Sequence, residues 1–158
     1  MVKLGKLTDY GLVIMTCMAR GQSSSMRTAR DLATESNLPL STVSKLLKEL
    51  LRSHLLVSHR GIKGGYLLAR EPQEISVIEM IAAIEGPMAL TECSSDITGL
   101  CNLEPCCPIK SNTQVINQAV RGVLEKITLS DLAHPMHLTN IQDARGRVVS
   151  TITSGGVQ

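Results

Sequence analysis

Four of the five cysteines of this 158-residue chain lie within fifteen residues, at Cys93, Cys101, Cys106 and Cys107. Thiolate sulfurs are soft donors that bind iron–sulfur clusters, zinc and copper(I). Prolines and a glycine interrupt this stretch, so residues 87–110 are predicted to form a connection without regular secondary structure. So long a loop is uncommon in a compact domain unless it is functional or disordered. A thiol-rich loop of this kind is expected to fold around a metal group.

The spacing of these cysteines favours a group wider than a single ion. Seven residues separate Cys93 from Cys101, and five separate Cys101 from Cys107. Structural zinc sites usually bring close pairs such as C-x-x-C, and ferredoxin-type clusters use tight cysteine runs; this sequence contains neither. An iron–sulfur cluster is therefore favoured. The alternatives that stay open are zinc, unligated reduced thiols and a redox pair formed by Cys106 and Cys107.

The composition limits the core, the partners and the compartment. Hydrophobic residues make up 43% of the chain, but Phe and Trp are absent, so an aliphatic, methionine-filled core is predicted. With Tyr10 and Tyr66 as its two aromatic rings, the chain is not suited to single-stranded nucleic acid, whose binding depends on stacking. No apolar run reaches membrane-spanning length and no signal peptide is recognised, so a cytoplasmic protein is expected. In that reducing compartment, clustered cysteines are more often metal ligands or redox groups than disulfides.

The net charge of +2 hides an uneven distribution. Residues 26–70 contain eight basic and three acidic side chains, whereas residues 71–158 contain five basic and ten acidic ones. A basic segment of this kind favours a polyanionic partner, and the acidic segment is expected to have another role.

The basic segment has the pattern of a helix-turn-helix. Thr28 and Asp31 predict a capping box and a short helix to about Ser36, broken by residues 37–39. A second helix, capped by Ser41, is predicted from apolar residues at helical spacing: Val43, Leu46, Leu47, Leu50 and Leu51. Its opposite, polar face is suited to the major groove of DNA. Contacts to base edges are predicted for Ser41, Thr42, Ser44 and Lys45, and contacts to phosphates or the minor groove for Lys48, Arg52, Arg60 and Lys63.

A β-hairpin is predicted directly after these two helices. Residues 55–60 and 66–70 are strand-like, and the glycine-rich residues 61–65 between them suit a hairpin turn. A basic hairpin in this position is the wing of a winged helix-turn-helix. Residues 1–75 are therefore predicted to form a DNA-binding region, mainly α-helical with a small hairpin.

Two further helices are predicted from their ends. Thr8 or Asp9 can cap a first helix at the start of the chain, and Ser76 with Glu79 forms the capping box of a fourth. Gly86 is expected to end the fourth helix.

The longest periodic stretch runs from about residue 111 to residue 128 and carries a continuous apolar stripe. We expect it to pack against its own copy in a symmetric homodimer, with packing onto its own domain as the alternative. Residues 76–133 are accordingly predicted to combine a helix, the cysteine loop and a dimerisation helix. Residues 134–158 are polar without a helical period and are predicted to be a disordered tail.

These motifs together resemble a known family. The segments LPLSTVSKLLKEL, RGIKGGYLLAR, CPIKSN and ITLSDL are similar to the bacterial winged-helix regulators that bind iron–sulfur clusters, the family that includes IscR and NsrR. The likeness is greatest to the regulator of Suf cluster assembly and covers about residues 1–133. It implies a non-enzymatic transcriptional regulator, a repressor of iron–sulfur cluster assembly genes, acting as a homodimer on a double-stranded DNA operator without a small-molecule substrate. The alternative is a zinc- or thiol-based redox protein without a cluster.

The resemblance also implies ligands. Cys93, Cys101 and Cys107 match the cysteines that hold the cluster, with a 2Fe–2S form favoured over 4Fe–4S. Cys107 is preferred to the adjacent Cys106 because it lies in the CPIK segment.

The sequence does not assign the fourth ligand of the cluster. Relatives often carry a histidine three residues after the third cysteine, but this chain has Lys110 there, whose ammonium has no free lone pair. Asp9 matches the position from which some relatives supply a carboxylate across the dimer, and its alternative role is a helix cap. Cys106 is a further alternate.

Overall fold

The computed structural model describes residues 3–21, 25–91, 94, 102, 106–142 and 148–154, with only the backbone for residues 138–142, 148, 149 and 154. The elements in chain order are α1 (Lys6–Arg20), α2 (Ala29–Ser36), α3 (Leu40–Arg52), β1 (Leu56–His59), β2 (Gly65–Leu68), α4 (Val77–Glu85), α5 (Lys110–Lys126), α6 (Leu129–Ala133), β3 (Met136–Gln142) and β4 (Val148–Ser154). Each strand pair forms a separate antiparallel hairpin. The predicted fold class, mainly α with a small wing, is confirmed.

The core is aliphatic and contains methionine, as the composition predicts. The apolar stripe of α3 is buried: at most 1% of the surface remains exposed at Val43, Leu46, Leu47 and Leu50, while Leu51 is half-buried. Residues of α1, α2, α4 and α6 pack on the same cluster. Burial of one such aliphatic side chain contributes about 1.5–3 kcal/mol relative to leaving it in water. The core therefore holds α3 in place and leaves its other face in solvent.

Two of the predicted helix starts are confirmed. The Thr28 hydroxyl accepts a hydrogen bond from the Asp31 amide, and the Asp31 carboxylate accepts one from the Thr28 amide. Ser76 and Glu79 form the same reciprocal pair at the start of α4, and Gly86 ends that helix with a φ of 88°. Both boxes satisfy amide groups that a helix start leaves without intrahelical partners.

Two predicted caps are wrong. Helix α1 begins after Gly5, without a side-chain cap, and Thr8 is buried with its hydroxyl donating to the Glu85 carboxylate at 2.6 Å. Helix α3 follows Pro39, so Ser41 lies inside its first turn and makes no cap. In α1 the Thr8 hydroxyl therefore bonds to a residue distant in sequence instead of to a backbone amide at the start of the helix.

The wing is fixed to the helices by backbone hydrogen bonds. Arg27 exchanges two with Tyr66, at 3.0 and 2.8 Å, which adds residue 27 to the edge of the β1–β2 hairpin. Leu55, at the end of the turn that follows α3, is buried and accepts from the Ala69 amide at 3.0 Å. The hairpin is thereby held beside α3, where a wing is expected.

The end of α5 returns to the start of α4. The Val77 amide donates to the Ile127 carbonyl and the Leu129 amide donates to the Ile75 carbonyl, both at 2.8 Å. The short helix α6 follows, with a capping box between Thr128 and Asp131 that the sequence analysis did not recognise.

The predicted disordered tail is corrected for the residues that the structure describes. Strands β3 and β4 pair in register from Met136 opposite Ser154 to Gln142 opposite Val148. Strand β4 is rich in β-branched residues, which favour extended structure, and β3 contains Thr139 and Ile141. In the described part of the chain, no helix is long and apolar enough to cross a membrane.

Candidate functional site

The residues predicted to contact DNA lie at solvent-accessible positions of α3 and the wing. The buried stripe of α3 faces the core, so its polar residues face away from it. Six of the eight predicted residues are exposed, namely Ser41, Lys45, Lys48, Arg52, Arg60 and Lys63. The other two, Thr42 and Ser44, are half-buried.

Arg52 is engaged in the free protein. Its guanidinium contacts the Glu49 carboxylate at 2.8 Å, one turn earlier on α3, and its side chain is 75% exposed. An exposed ion pair of this kind contributes little stability, so the guanidinium can exchange Glu49 for another anion.

The structure adds residues to this surface that the sequence analysis missed. A cleft of about 420 Å³ between the starts of α2 and α3 is lined by Thr28, Ala29, Arg30, Leu40 and Ser44. Leu40 is 44% exposed at the first position of α3, and Ile62 at the wing tip is fully exposed. The signal for Ile62 was available in the sequence, because an isolated apolar residue stands between glycine-rich turn positions.

The cysteine region is described in part. Cys93 and Cys101 lie outside the described residues. Cys106 is exposed and Cys107 is half-buried, both as free thiols. Cys107 is joined to the start of α5, because its carbonyl accepts from the Lys110 amide at 3.4 Å.

The remaining described residues bear on whether a metal group fits. They bring no three His, Cys, Asp or Glu side chains together. The half-buried Cys107, just before α5, offers a soft thiolate donor of the kind that suits an iron–sulfur group.

Asp9 is placed differently from its predicted cap role. It lies in the first turn of α1, four residues after the cap residue Gly5, and is exposed. Within the described part of the chain, its carboxylate makes no hydrogen bond or ion pair. The carboxylate is therefore available to a ligand or to a second chain.

Helix α5 connects the cysteine region to a large exposed surface. Val115, Ile116 and Val123 are 66%, 55% and 50% exposed, whereas Leu124 and Ile127 pack against the core. The predicted apolar stripe is thus divided between a short part that covers the chain's own core and a longer part that faces solvent.

The Asn117 side chain attaches residues 90 and 94, on either side of Cys93 in the sequence, to α5. The Asn117 amide accepts a hydrogen bond from the Leu90 amide at 3.0 Å and donates one to the Ser94 carbonyl at 3.4 Å. Asn117 is 6% exposed and is the buried residue of α5.

Comparison with known proteins agrees with this architecture. The model of the Rrf2 family, described as "Iron-dependent Transcriptional regulator", matches residues 4–135. The HTH-type transcriptional regulator NsrR of Halalkalibacterium halodurans is 30% identical over 131 residues, covering 83% of this chain and 90% of that protein. Structures of CymR, the global cysteine regulator of Bacillus subtilis (29% identity, TM-score 0.67, 84% of this chain and 97% of that chain), and of T. potens IscR (27%, 0.64, 83% and 85%) have the same fold. The chain therefore belongs to the Rrf2 family of winged-helix transcriptional regulators.

Proposed function

We propose that this protein is a homodimeric repressor of iron–sulfur cluster assembly genes, whose operator affinity responds to a cluster held by the cysteine loop. The observation that carries the proposal is the presence of two features in one chain. A polar, basic helix and wing face solvent, and the free, half-buried thiol of Cys107 lies three residues before the long helix α5. Cluster occupancy can shift DNA binding only by favouring one arrangement of the dimer over the other.

DNA contacts are assigned from position on the surface. Ser41, Thr42, Ser44 and Lys45 lie in the first half of α3, the part of a recognition helix that reaches base edges. Lys48, Arg52, Arg60 and Lys63 supply positive charge for phosphates or for the minor groove. Two apolar additions join them: Leu40 beside Ser44, and Ile62 at the wing tip, where an aliphatic side chain suits the minor groove.

The homodimer rests on α5. A single chain leaves Val115, Ile116 and Val123 at least half exposed along one helix, and large apolar surfaces of this kind mark protein interfaces. Two copies of the same face can cover each other in a symmetric, self-complementary contact.

The cluster ligands are Cys93, Cys101 and Cys107, with a 2Fe–2S group favoured over 4Fe–4S. Bound there, the group would supply a redox- and ligand-sensitive centre. Cys107 is half-buried at the start of α5, whereas Cys106 is exposed, which favours Cys107 as the third ligand. Asp9 is proposed as the fourth ligand, donated across the dimer, and Cys106 is its alternate.

Purification without oxygen tests the proposal. A brown protein with bound iron and visible absorption is expected, and it should bind an operator fragment from a cluster assembly gene as a dimer. A colourless protein that binds zinc, or one that lacks operator binding in both the metal-loaded and metal-free states, would overturn it.

Single substitutions test the ligand set. Cys93→Ala, Cys101→Ala and Cys107→Ala are each expected to abolish the chromophore, whereas Cys106→Ala should keep most of it. A colourless Cys106→Ala beside a brown Cys107→Ala would reverse the choice between the two.

Asp9→Asn tests the fourth ligand without disturbing a helix cap, because Gly5 holds the cap position. The metal-free variant is expected to keep its melting temperature, and the loaded variant should lose its chromophore faster in air. A spectrum and lifetime equal to those of the wild type would exclude Asp9.

A thiol-based regulator without a cluster is the second candidate. It is favoured by the adjacent free thiols of Cys106 and Cys107 and by the likeness to CymR, described as a cysteine regulator. Hydrogen peroxide would then oxidise two thiols to a disulfide and be reduced to two water molecules. Peptide mapping that finds such a disulfide in a metal-free, operator-binding protein would favour this candidate.

A further inference from the structure

Asn117 has an environment unlike that of the rest of α5. The structure describes all residues of this helix, Lys110–Lys126, and Asn117 is its buried residue, at 6% exposure. Neighbouring apolar side chains such as Ile116 remain in solvent. A buried amide is retained at little cost only where both of its ends find partners. The partners of Asn117 therefore indicate what the residue does.

Both ends of the amide hold the backbone that flanks Cys93. The oxygen accepts from the Leu90 amide at 3.0 Å, and the nitrogen donates to the Ser94 carbonyl at 3.4 Å. A carboxylate could not donate to that carbonyl, and an aliphatic side chain could bond neither group. The two contacts fix the loop at points on either side of Cys93 in the sequence.

The segment between these points is closed on itself. The Ser94 amide donates to the Thr91 carbonyl at 2.9 Å, and the hydroxyl groups of Thr91 and Ser94 lie 2.7 Å apart. Cys93 lies between these two residues in the sequence and outside the described residues. A group bound by Cys93 would therefore pull on a chain segment whose next residue, Ser94, is attached to α5.

We propose that Asn117 is the positioning residue that fixes the backbone at residues 90 and 94, on either side of Cys93 in the sequence, to the long helix and links the state of the Cys93 thiol to the exposed apolar face of α5. The role of Cys93 as a ligand rests on the proposed function, whereas the anchoring of the turn does not. The link is short, because Asn117 lies one residue beyond Ile116 and two beyond Val115 on the same helix.

A polar cleft of about 660 Å³ opens beside the anchor, lined by Ser94, Gln114, Asn117, Gln118 and Arg121 among others. Water and small polar reagents can therefore reach the turn. Loosening of the anchor should be visible as faster exchange and faster thiol modification.

Asn117→Leu removes both hydrogen bonds at similar volume, and Asn112→Leu, at an exposed position of the same helix, is the matched control. In reduced, metal-free protein, the Leu90 amide should exchange hydrogen about tenfold faster in Asn117→Leu, the change expected for loss of one ordinary hydrogen bond. Alkylation of Cys93 by iodoacetamide, followed by peptide mass, should accelerate relative to Cys106. Asn112→Leu should match the wild type in both measurements.

Asn117→Asp separates the two halves of the anchor. It keeps the oxygen that accepts from Leu90 but loses the donor to Ser94, so Leu90 should stay protected while Cys93 alkylation accelerates. Unchanged exchange at Leu90 and unchanged alkylation of Cys93 in Asn117→Leu would overturn the proposal. An equal loss of protection at the core amide of Met80 would also overturn it, because Asn117 would then be a general structural residue.

The same variants keep this proposal separate from the proposed function. If wild-type protein holds no cluster, the proposed function fails, but Leu90 exchange and Cys93 alkylation still decide the role of Asn117. If the cluster forms, Asn117→Leu should lose it several-fold faster than Asn112→Leu, and the difference in operator affinity between loaded and metal-free protein should shrink. Equal lifetimes and an equal affinity difference in the two variants would remove the link to α5.

Discussion

Helices α3 and α5 of this protein bury opposite kinds of side chain. Helix α3, with 13 residues, buries Val43, Leu46, Leu47 and Leu50 almost completely and presents a polar face. Helix α5, with 17 residues, buries Asn117 and leaves apolar side chains in solvent. The first helix is stabilised by its own chain, so its exposed face can be specialised for DNA. The second leaves an apolar face uncovered in a single chain, so in the proposed homodimer its stability would depend on the partner copy.

The largest expected effect tests whether α3 is stabilised by packing within its own chain. Leu47→Ala removes a fully buried side chain and should lower the free energy of unfolding by about 2–5 kcal/mol, from lost burial and the remaining cavity. Val123→Ala on α5, half exposed in a single chain, should cost less than half as much at a protein concentration where the chain is monomeric. Urea unfolding at a fixed protein concentration measures both. Equal costs would mean that α5 is packed as tightly as α3.

The next largest effect tests whether a second copy of the chain covers the exposed apolar face of α5. Ile116→Lys places a charge on the exposed apolar face, and burying it in a dimer should weaken association by about 2 kcal/mol, roughly 30-fold in the dissociation constant. Gln118→Lys, at an exposed polar position of the same helix, is the control. Sedimentation equilibrium gives the dissociation constants. A dimer that tolerates Ile116→Lys as well as Gln118→Lys would exclude this face as the interface.

The capping boxes should give effects of about 1 kcal/mol each when Thr28 or Ser76 is replaced by alanine. They also predict a pH dependence. The hydroxyl and the amide of Thr28 lower the pKa of Asp31. Partial burial raises the pKa of Glu79, but hydrogen bonds from Ser76 and Arg70 outweigh it and leave that pKa lowered.

Carboxyl groups with lowered pKa values stabilise the folded state above their ordinary pKa, and this contribution disappears as the pH falls through the folded-state pKa. The melting temperature should therefore fall as the pH drops below about 4.5, near the ordinary glutamate pKa. Glu79→Gln should flatten this decline. An unaltered pH profile in Glu79→Gln would contradict the assignment.

The smallest expected effect concerns a single phosphate contact. Lys63→Ala at the wing should weaken binding to all DNA sequences alike and reduce the slope of log affinity against log salt by about 1. Lys126→Ala, an exposed lysine at the end of α5, is the control and should leave the slope unchanged. Binding titrations at several salt concentrations measure the slope. An unchanged slope in Lys63→Ala would remove the wing from the DNA interface.

The difference between local and distant contacts explains which features the sequence could predict. Capping boxes and the buried stripe of α3 are local patterns, and the structure confirms them. The cap of α1 was mispredicted because Thr8 bonds to Glu85, 77 residues away, and such a partner leaves no local signal.

Other elements were not predicted because they lack a helical period in the sequence. The hairpin of β3 and β4 has no helical period, but Val148–Ser154 is rich in β-branched residues and carries a strand signal. Helix α6 is too short for any period to emerge, although Thr128 and Asp131 mark its start. The hydrogen bonds of Asn117 could not be foreseen, since an isolated asparagine on a helix is usually exposed.

The backbone hydrogen bonds that join residues 75 and 77 to residues 127 and 129 have a consequence for chain entropy. The chain enters and leaves the segment that contains the four clustered cysteines at the same place, so these cysteines belong to a loop whose ends are joined. The entropy of bringing the ends of a loop together is lost when the protein folds, before any ligand arrives. On the proposed function, a metal group that gathers the thiols would have to remove only the freedom that remains within this loop, so that few ligands would be needed to hold it.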